Sequence, residues 1–278
     1  MKNIIGIFVF MVAAMIFVSC EPIEKRNEMK GAVTEADINQ YVTVTTEMRD
    51  GNHSNWILCR SDGLKALTSF DYGAGTYVGT NGRVQVFETG DQTVVLTVLN
   101  RDGTKITKNY SVTVDELYDL AVEWDYLCDM SNTRSKTWTW NEELGEECYG
   151  EGDVTEDVAD WWNPAIPNVG EGFGATMTFS VKGMTLVKEK TDGSKEEGVF
   201  SFDMNGKLWD FSIAKFSTKG VTILGGKDYD GEDTYEFQIT RLNEDELIFV
   251  KLMEDAGWDP DVEGWGDATL WIFKAVED

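Results

Sequence analysis

The stretch Gln92-Thr-Val-Val-Leu-Thr-Val-Leu-Asn-Arg-Asp-Gly-Thr-Lys-Ile-Thr-Lys-Asn-Tyr-Ser-Val-Thr-Val114 holds two alternating runs either side of Asn100-Arg-Asp-Gly103. Alternation with period two puts every second side chain on one face of a half-buried strand. Asp102-Gly103 supplies the positive φ that a tight hairpin turn needs. Tyr41-Val-Thr-Val-Thr-Thr46 and Gly82-Arg-Val-Gln-Val-Phe87 alternate in the same way. Short strands with frequent turns across residues 31–116 predict a β-sandwich.

The second half has the same character. Strands are expected at Ser135–Asn141, Ala175–Val181, Met184–Lys190, Gly198–Met204, Leu208–Ile213, Gly220–Leu224, Thr234–Thr240, Glu246–Leu252 and Ala268–Lys274. Lys182-Gly183, Thr191-Asp192-Gly193 and Leu242-Asn-Glu-Asp245 read as turns between them. Eight or nine antiparallel strands in order suit an up-and-down barrel or a sandwich. The predicted class is all-β: a β-sandwich over 31–116, a junction at 117–123, and an antiparallel barrel or sandwich over 124–278. The segment Asp115–Glu123 has mixed polarity and room for one turn of helix.

Lys2 followed by the apolar run Ile4–Phe17 has the charge and length of a signal sequence and is short for a membrane span. Residues 1–19 are therefore expected to be removed, and 20–30 to form a polar linker. The charge is uneven. Residues 1–118 carry 14 acidic and 11 basic side chains, and residues 119–278 carry 36 and 13, which gives the net −26 of the chain. Nucleic acid binds largely through Lys and Arg neutralising its phosphates, so no nucleic-acid partner is expected. Anionic glycans and anionic membranes are disfavoured for the same reason. Neutral glycans, cations and basic partners remain. After Cys20, three cysteines are left, Cys59, Cys128 and Cys148, with no CxxC spacing. That argues against a disulfide framework or a zinc site. Cys128 and Cys148 are the one pair placed to bond.

Several motifs resemble known families. Phe17-Val-Ser-Cys20 resembles a lipobox, which implies lipidation at Cys20 and attachment to the membrane through the lipid anchor only. Glu21 and Glu24 are similar to the surface-export signal of Bacteroidetes glycan-utilisation lipoproteins, with Lys25 and Arg26 as departures. Phe70-Asp-Tyr-Gly-Ala-Gly75, followed by the Gly90–Gly103 strand, resembles a PKD domain, which implies that the 31–116 sandwich is immunoglobulin-like. Ala74 and Phe70 stand where that family usually has Asp and Trp. Such modules mostly act as spacers. Tyr235-x-x-x-Ile239-x-x-Leu242 and the closing Trp271-Ile-Phe-Lys274 strand look similar to lipocalin-like lipoprotein domains. Ser135–Asn141 and Trp161-Trp162-x-Pro164 resemble a glycan-associated domain. Together these resemblances imply an outer-membrane, cell-surface lipoprotein beside an importer complex.

Nine of the ten tryptophans lie in 124–278. Trp209 and Trp271 sit in apolar strands and read as core. Trp138 and Trp140 share one strand face and count equally as core or as ligand contacts. Trp161, Trp162, Trp258 and Trp265 lie among Gly, Pro, Asp and Glu, where surface loops run. An indole face is electron-rich and suits the C–H face of a pyranose. Asp160 and Asn163 would bond the hydroxyls at its edge. Adjacent residues of an extended chain point in opposite directions, so one of Trp161 and Trp162 is expected to anchor the loop and the other to face outward. Asp228, Asp230 and Asp233, spaced around Gly231, are candidate calcium ligands, although Ile239 stands where an EF-hand needs Glu. A solvated acidic turn is the alternative there. No other cofactor is implied.

Catalysis finds little support. The one histidine, His53, lies in a polar loop with no nucleophile beside it. Glu146, Glu147, Glu151, Asp153 and Glu156 are too many carboxylates to single out a glycosidase pair. The reading is a non-catalytic surface lipoprotein that binds a neutral polysaccharide or oligosaccharide. The alternatives are a lipocalin-like carrier of a small apolar ligand, a protein-binding adhesin or assembly subunit, and a glycoside hydrolase.

Overall fold

The computed structural model describes residues 32–203, 207–208, 211–212, 214–228, 230–252 and 266–276. Cys20, Trp209, Trp258 and Trp265 lie outside the described residues.

The chain is all-β. Its N-terminal part has strands β1 (Thr43–Arg49), β2 (Asn52–Arg60), β3 (Leu67–Asp71), β4 (Thr76–Val78), β5 (Asn81–Gln85), β6 (Gly90–Leu99) and β7 (Lys105–Val114). They form two antiparallel sheets, β1-β2-β5 and β4-β3-β6-β7. Val94, Leu96 and Val98 of β6 meet Ile57, Cys59, Phe70 and Val84 in a buried cluster between the sheets. Gly103 (φ +87°) makes the β6–β7 turn, as its sequence predicts. One expectation shifts. Tyr41 ends a short helix, α1 (Glu35–Tyr41), instead of starting a strand. Thr34 caps it: its hydroxyl accepts from the Asp37 N–H while the Asp37 carboxylate accepts from the Thr34 N–H.

The C-terminal part begins with helix α2 (Val122–Cys128). Strands β8 (Ser135–Trp140), β9 (Tyr149–Asp153), β10 (Thr176–Ser180), β11 (Thr185–Glu189) and β12 (Lys195–Asp203) follow. After the two-residue strands β13 (Lys207–Leu208) and β14 (Phe211–Ser212) come β15 (Ala214–Lys219), β16 (Glu236–Leu242), β17 (Glu246–Leu252) and β18 (Asp267–Ala275). Strands β8, β10, β11, β12, β15, β16, β17 and β18 pair antiparallel in that order, and β18 pairs back with β8. The sheet therefore closes into an eight-stranded up-and-down barrel, which removes its edges. Strand β9 continues along β18 where β8 stops: Phe273–Ala275 pair with β8, and Asp267–Trp271 with β9.

Sequence order misplaces one strand. Gly220–Leu224 reads as a strand, yet β15 lies just before it. Ala214, Phe216 and Thr218 alternate with Lys215, Ser217 and Lys219, and this set enters the sheet. Val221, Ile223 and Leu224 leave the sheet and are buried in the barrel's own hydrophobic cluster. A short apolar run cannot distinguish a strand from a buried lid.

Aromatic rings fill the barrel. Phe216 lies 4.7 Å from Phe249 and 5.5 Å from Phe200, and Phe237 lies 5.3 Å from Trp271, between ring centroids. Up-and-down order sends the connections 141–175, 190–194 and 220–235 to one end of the barrel, here the loop end. Helix α2 closes the opposite end, where Leu127 O accepts from Trp138 Nε1 at 3.2 Å. The sandwich meets the barrel at this helix end. Phe87 packs 4.0 Å from Trp124, and Gln85 Nε2 donates to Tyr118 O at 2.9 Å. The long loops thus project away from the sandwich. Among the described residues no helix is long and apolar enough to cross a membrane.

Candidate functional site

The Asp160–Pro164 segment belongs to the long connection from β9 to β10. It is fixed in place. Trp162 O accepts from Glu151 N–H at 2.8 Å, and Trp161 N–H donates to Glu151 O at 3.0 Å. Asn163 Nδ2 donates to Tyr149 O at 3.4 Å and also to Ala159 O. The Asn163 amide is therefore a clamp for the loop as well as a neighbour of the rings. The approach to β9 is close because Gly150 carries no side chain: a Cβ there would stand 2.0 Å from Trp162 O.

Trp161 is 46% exposed and Trp162 47%. The expectation that one would anchor and the other project is not met, since both are half out. Pairing to β9 through the backbone holds the segment, so neither indole has to be buried to fix it. Asp160 beside them is exposed. Further along the same connection Phe173 is also half exposed. Residues 141–175 contain ten acidic side chains and no Lys or Arg. Burial raises the Glu151 carboxyl above its ordinary value, and the negative charge of Asp267 adds to the shift.

Trp138 and Trp140 are not ligand contacts. Both are fully buried. Their strand face points into the barrel, where Trp140 lies 4.6 Å from Phe273 and its Nε1 donates to Glu171 O at 2.7 Å. Trp271 is core as expected, donating to Gly225 O at 3.0 Å.

The aspartates considered for calcium are already paired. Asp228 accepts from Lys251 Nζ at 2.6 Å and from Glu232 N–H at 3.0 Å. Asp233 accepts from Lys227 Nζ at 2.8 Å. Ammonium groups occupy the place a cation would take, and Asp230 joins no ligand set. Among the described residues no three of His, Cys, Asp and Glu come together as a metal site. The segment is an ion-paired turn. Cys128 and Cys148 are buried free thiols, so the disulfide considered for them is not formed. Burial pushes the Cys148 thiol up to about 12, which keeps it protonated and inert. His53 faces Asp115 at 2.8 Å on the surface of the sandwich, far in the fold from the loop end.

Sequence reasoning missed one polar cluster under the loops. Lys188 and Glu171 are buried and meet at 2.6 Å. Lys188 also donates to Thr222 Oγ1 at 3.2 Å, and Glu171 accepts from Gly225 N–H at 2.8 Å. This pair ties the 154–175 and 220–235 connections to β11. Lys188 alternates with Leu186 on an inward face, and only that register signals it.

No known family matches the chain, and no curated protein matches it. One solved structure it resembles is of carbohydrate-binding modules from the beta-sandwich super family. The likeness has 15% sequence identity, covers 86% of this chain and 92% of the other, and has a TM-score of 0.21. At that score the two folds do not superpose as wholes.

Proposed function

We propose that this protein is a non-catalytic glycan-binding lipoprotein of the cell surface. Cys20 carries the lipid, the sandwich acts as a spacer, and the loop end of the barrel captures a neutral glycan for an outer-membrane importer. The observation that carries the reading is the pair of half-exposed indoles, Trp161 and Trp162, on a segment hydrogen-bonded to β9. Exposed aromatic rings are costly to leave in water, and a rigid mount reduces the entropy lost when they stack on a sugar. The surrounding carboxylates accept hydrogen bonds from hydroxyls and repel anionic glycans. Weak contact per site suffices, because many anchored copies on one surface give avidity.

Affinity gel electrophoresis of the full chain in detergent, against neutral polysaccharides, tests this. Retardation by at least one glycan, lost in a folded Trp161→Ala/Trp162→Ala variant, is the expected result. Retardation unchanged in that variant, or absent for every glycan, refutes the platform.

A further inference from the structure

A cleft of about 540 Å³ separates the sandwich from the barrel at the helix end. One wall is the outer face of β2 and β5 with the β3–β4 turn; the other is α2 and the end of β12. Phe87 and Trp124, packed against each other and buried, form its floor. Tyr72 and Phe202 supply aromatic surface above that floor, Trp56 lines it beneath the Arg83 guanidinium, and Thr76, Ser201 and Asp203 stand at the rim.

We infer that this cleft is a second binding site, for a neutral hydroxylated ring ligand the size of one or two residues of a glycan chain. Ligand sites are concave, hold roughly 300–1,000 Å³, combine aromatic walls with a few polar groups, and favour junctions between domains. The cleft has each of these features. Its charged groups are few, Arg83 on one wall, ion-paired to Glu47, and Asp203 on the other, unlike the acidic loop end. Arg83 is held in place: its guanidinium lies 3.6 Å over the Trp56 ring, and its Nε donates to Glu47 at 2.7 Å. Tyr72, partly buried in the cleft wall, presents a phenol hydroxyl that can donate. Both walls rest on the packed Phe87–Trp124 floor, so the shape exists before the ligand arrives. The site stands on observations separate from those at Trp161 and Trp162.

Isothermal titration of the full chain with cellohexaose, xylohexaose, mannohexaose and maltohexaose tests it. The Trp161→Ala/Trp162→Ala variant is expected to keep one site for at least one of these sugars. Adding Thr76→Trp, an exposed position where a large ring fills the cleft without removing packing, should weaken that site at least tenfold, a loss of about 1.4 kcal/mol. Tyr72→Phe should weaken it by a smaller factor. No binding by the Trp161→Ala/Trp162→Ala variant, or binding indifferent to Thr76→Trp, overturns the cleft site. Binding kept by the first variant and lost with Thr76→Trp supports the cleft whatever becomes of the tryptophan platform.

Discussion

Gly150→Ala probes how the tryptophan segment is mounted. Gly150 has φ +146°, a conformation that L side chains rarely adopt. An added Cβ would stand 2.0 Å from the carbonyl oxygen of Trp162 and 3.0 Å from its carbonyl carbon. The obstacle is backbone, so no rotamer change relieves it. The segment must lift off β9 and give up its two bonds with Glu151. Each is worth about 1 kcal/mol net, and the unfavourable φ costs roughly 1–3 kcal/mol more. The sum is about 3–5 kcal/mol, which for a chain of this size lowers Tm by on the order of 10 °C. Gly172→Ala is the control. It lies in the same connection, has open space where the added methyl would sit, and has no positive φ. Thermal unfolding followed by circular dichroism reads the difference, and affinity electrophoresis reads the platform. We expect Gly150→Ala to melt well below Gly172→Ala and to lose retardation. If both variants melt within roughly 2 °C of wild type and bind equally, the close packing of Trp162 on β9 is wrong.

Two further perturbations address stability. Lys188→Met takes the nearest cation from the buried Glu171 carboxylate and leaves it Lys190 at 3.8 Å, the Asn168 amide and the Gly225 N–H, so the loss should reach at most the roughly 3–5 kcal/mol typical of breaking a buried pair. Urea unfolding should show that loss, and the Lys188→Met/Glu171→Gln double variant should recover part of it; a double variant less stable than the single one would contradict the pairing. Acid should also destabilise the fold. Arg83 and Arg49 hold Glu47 below its ordinary value, Lys190 does the same for Glu196, and the His53 N–H and ring hold Asp115 low. Burial opposes the effect at Asp228, but Lys251 and the Glu232 N–H win and lower it. A carboxylate depressed in the folded state stabilises above its unfolded value and loses that stabilisation as pH falls through the folded one. Tm should therefore fall as pH drops below the ordinary 4.5 of Glu and 3.8 of Asp. A Tm flat from pH 6 to pH 3, on the order of the window these shifts define, would count against these contacts.

The sequence by itself determined the strand-rich class and most strands. Alternation is a local property, and β6, β8 and β10 each show it within a few residues, while β17 and β18 are legible as continuous apolar runs of strand length. Gly103 and Gly183 announced their turns because positive φ is a property of the residue. The acidic skew and the crowding of tryptophans after residue 119 were equally legible. Tertiary structure decided the rest. Whether the second sheet closes depends on β18 meeting β8, residues more than a hundred positions apart, and no local pattern encodes that pairing. Closure turned Trp138 and Trp140 inward, because a strand face has no inside until the barrel exists. It also made Val221–Leu224 a lid, since an apolar run is satisfied equally by a sheet face or by a barrel mouth. Trp161 and Trp162 show the same division. Their loop setting was readable from Asp160, Asn163 and Pro164, but their exposure was settled by Gly150, which lets the backbone be held by β9 so that neither ring has to hold it.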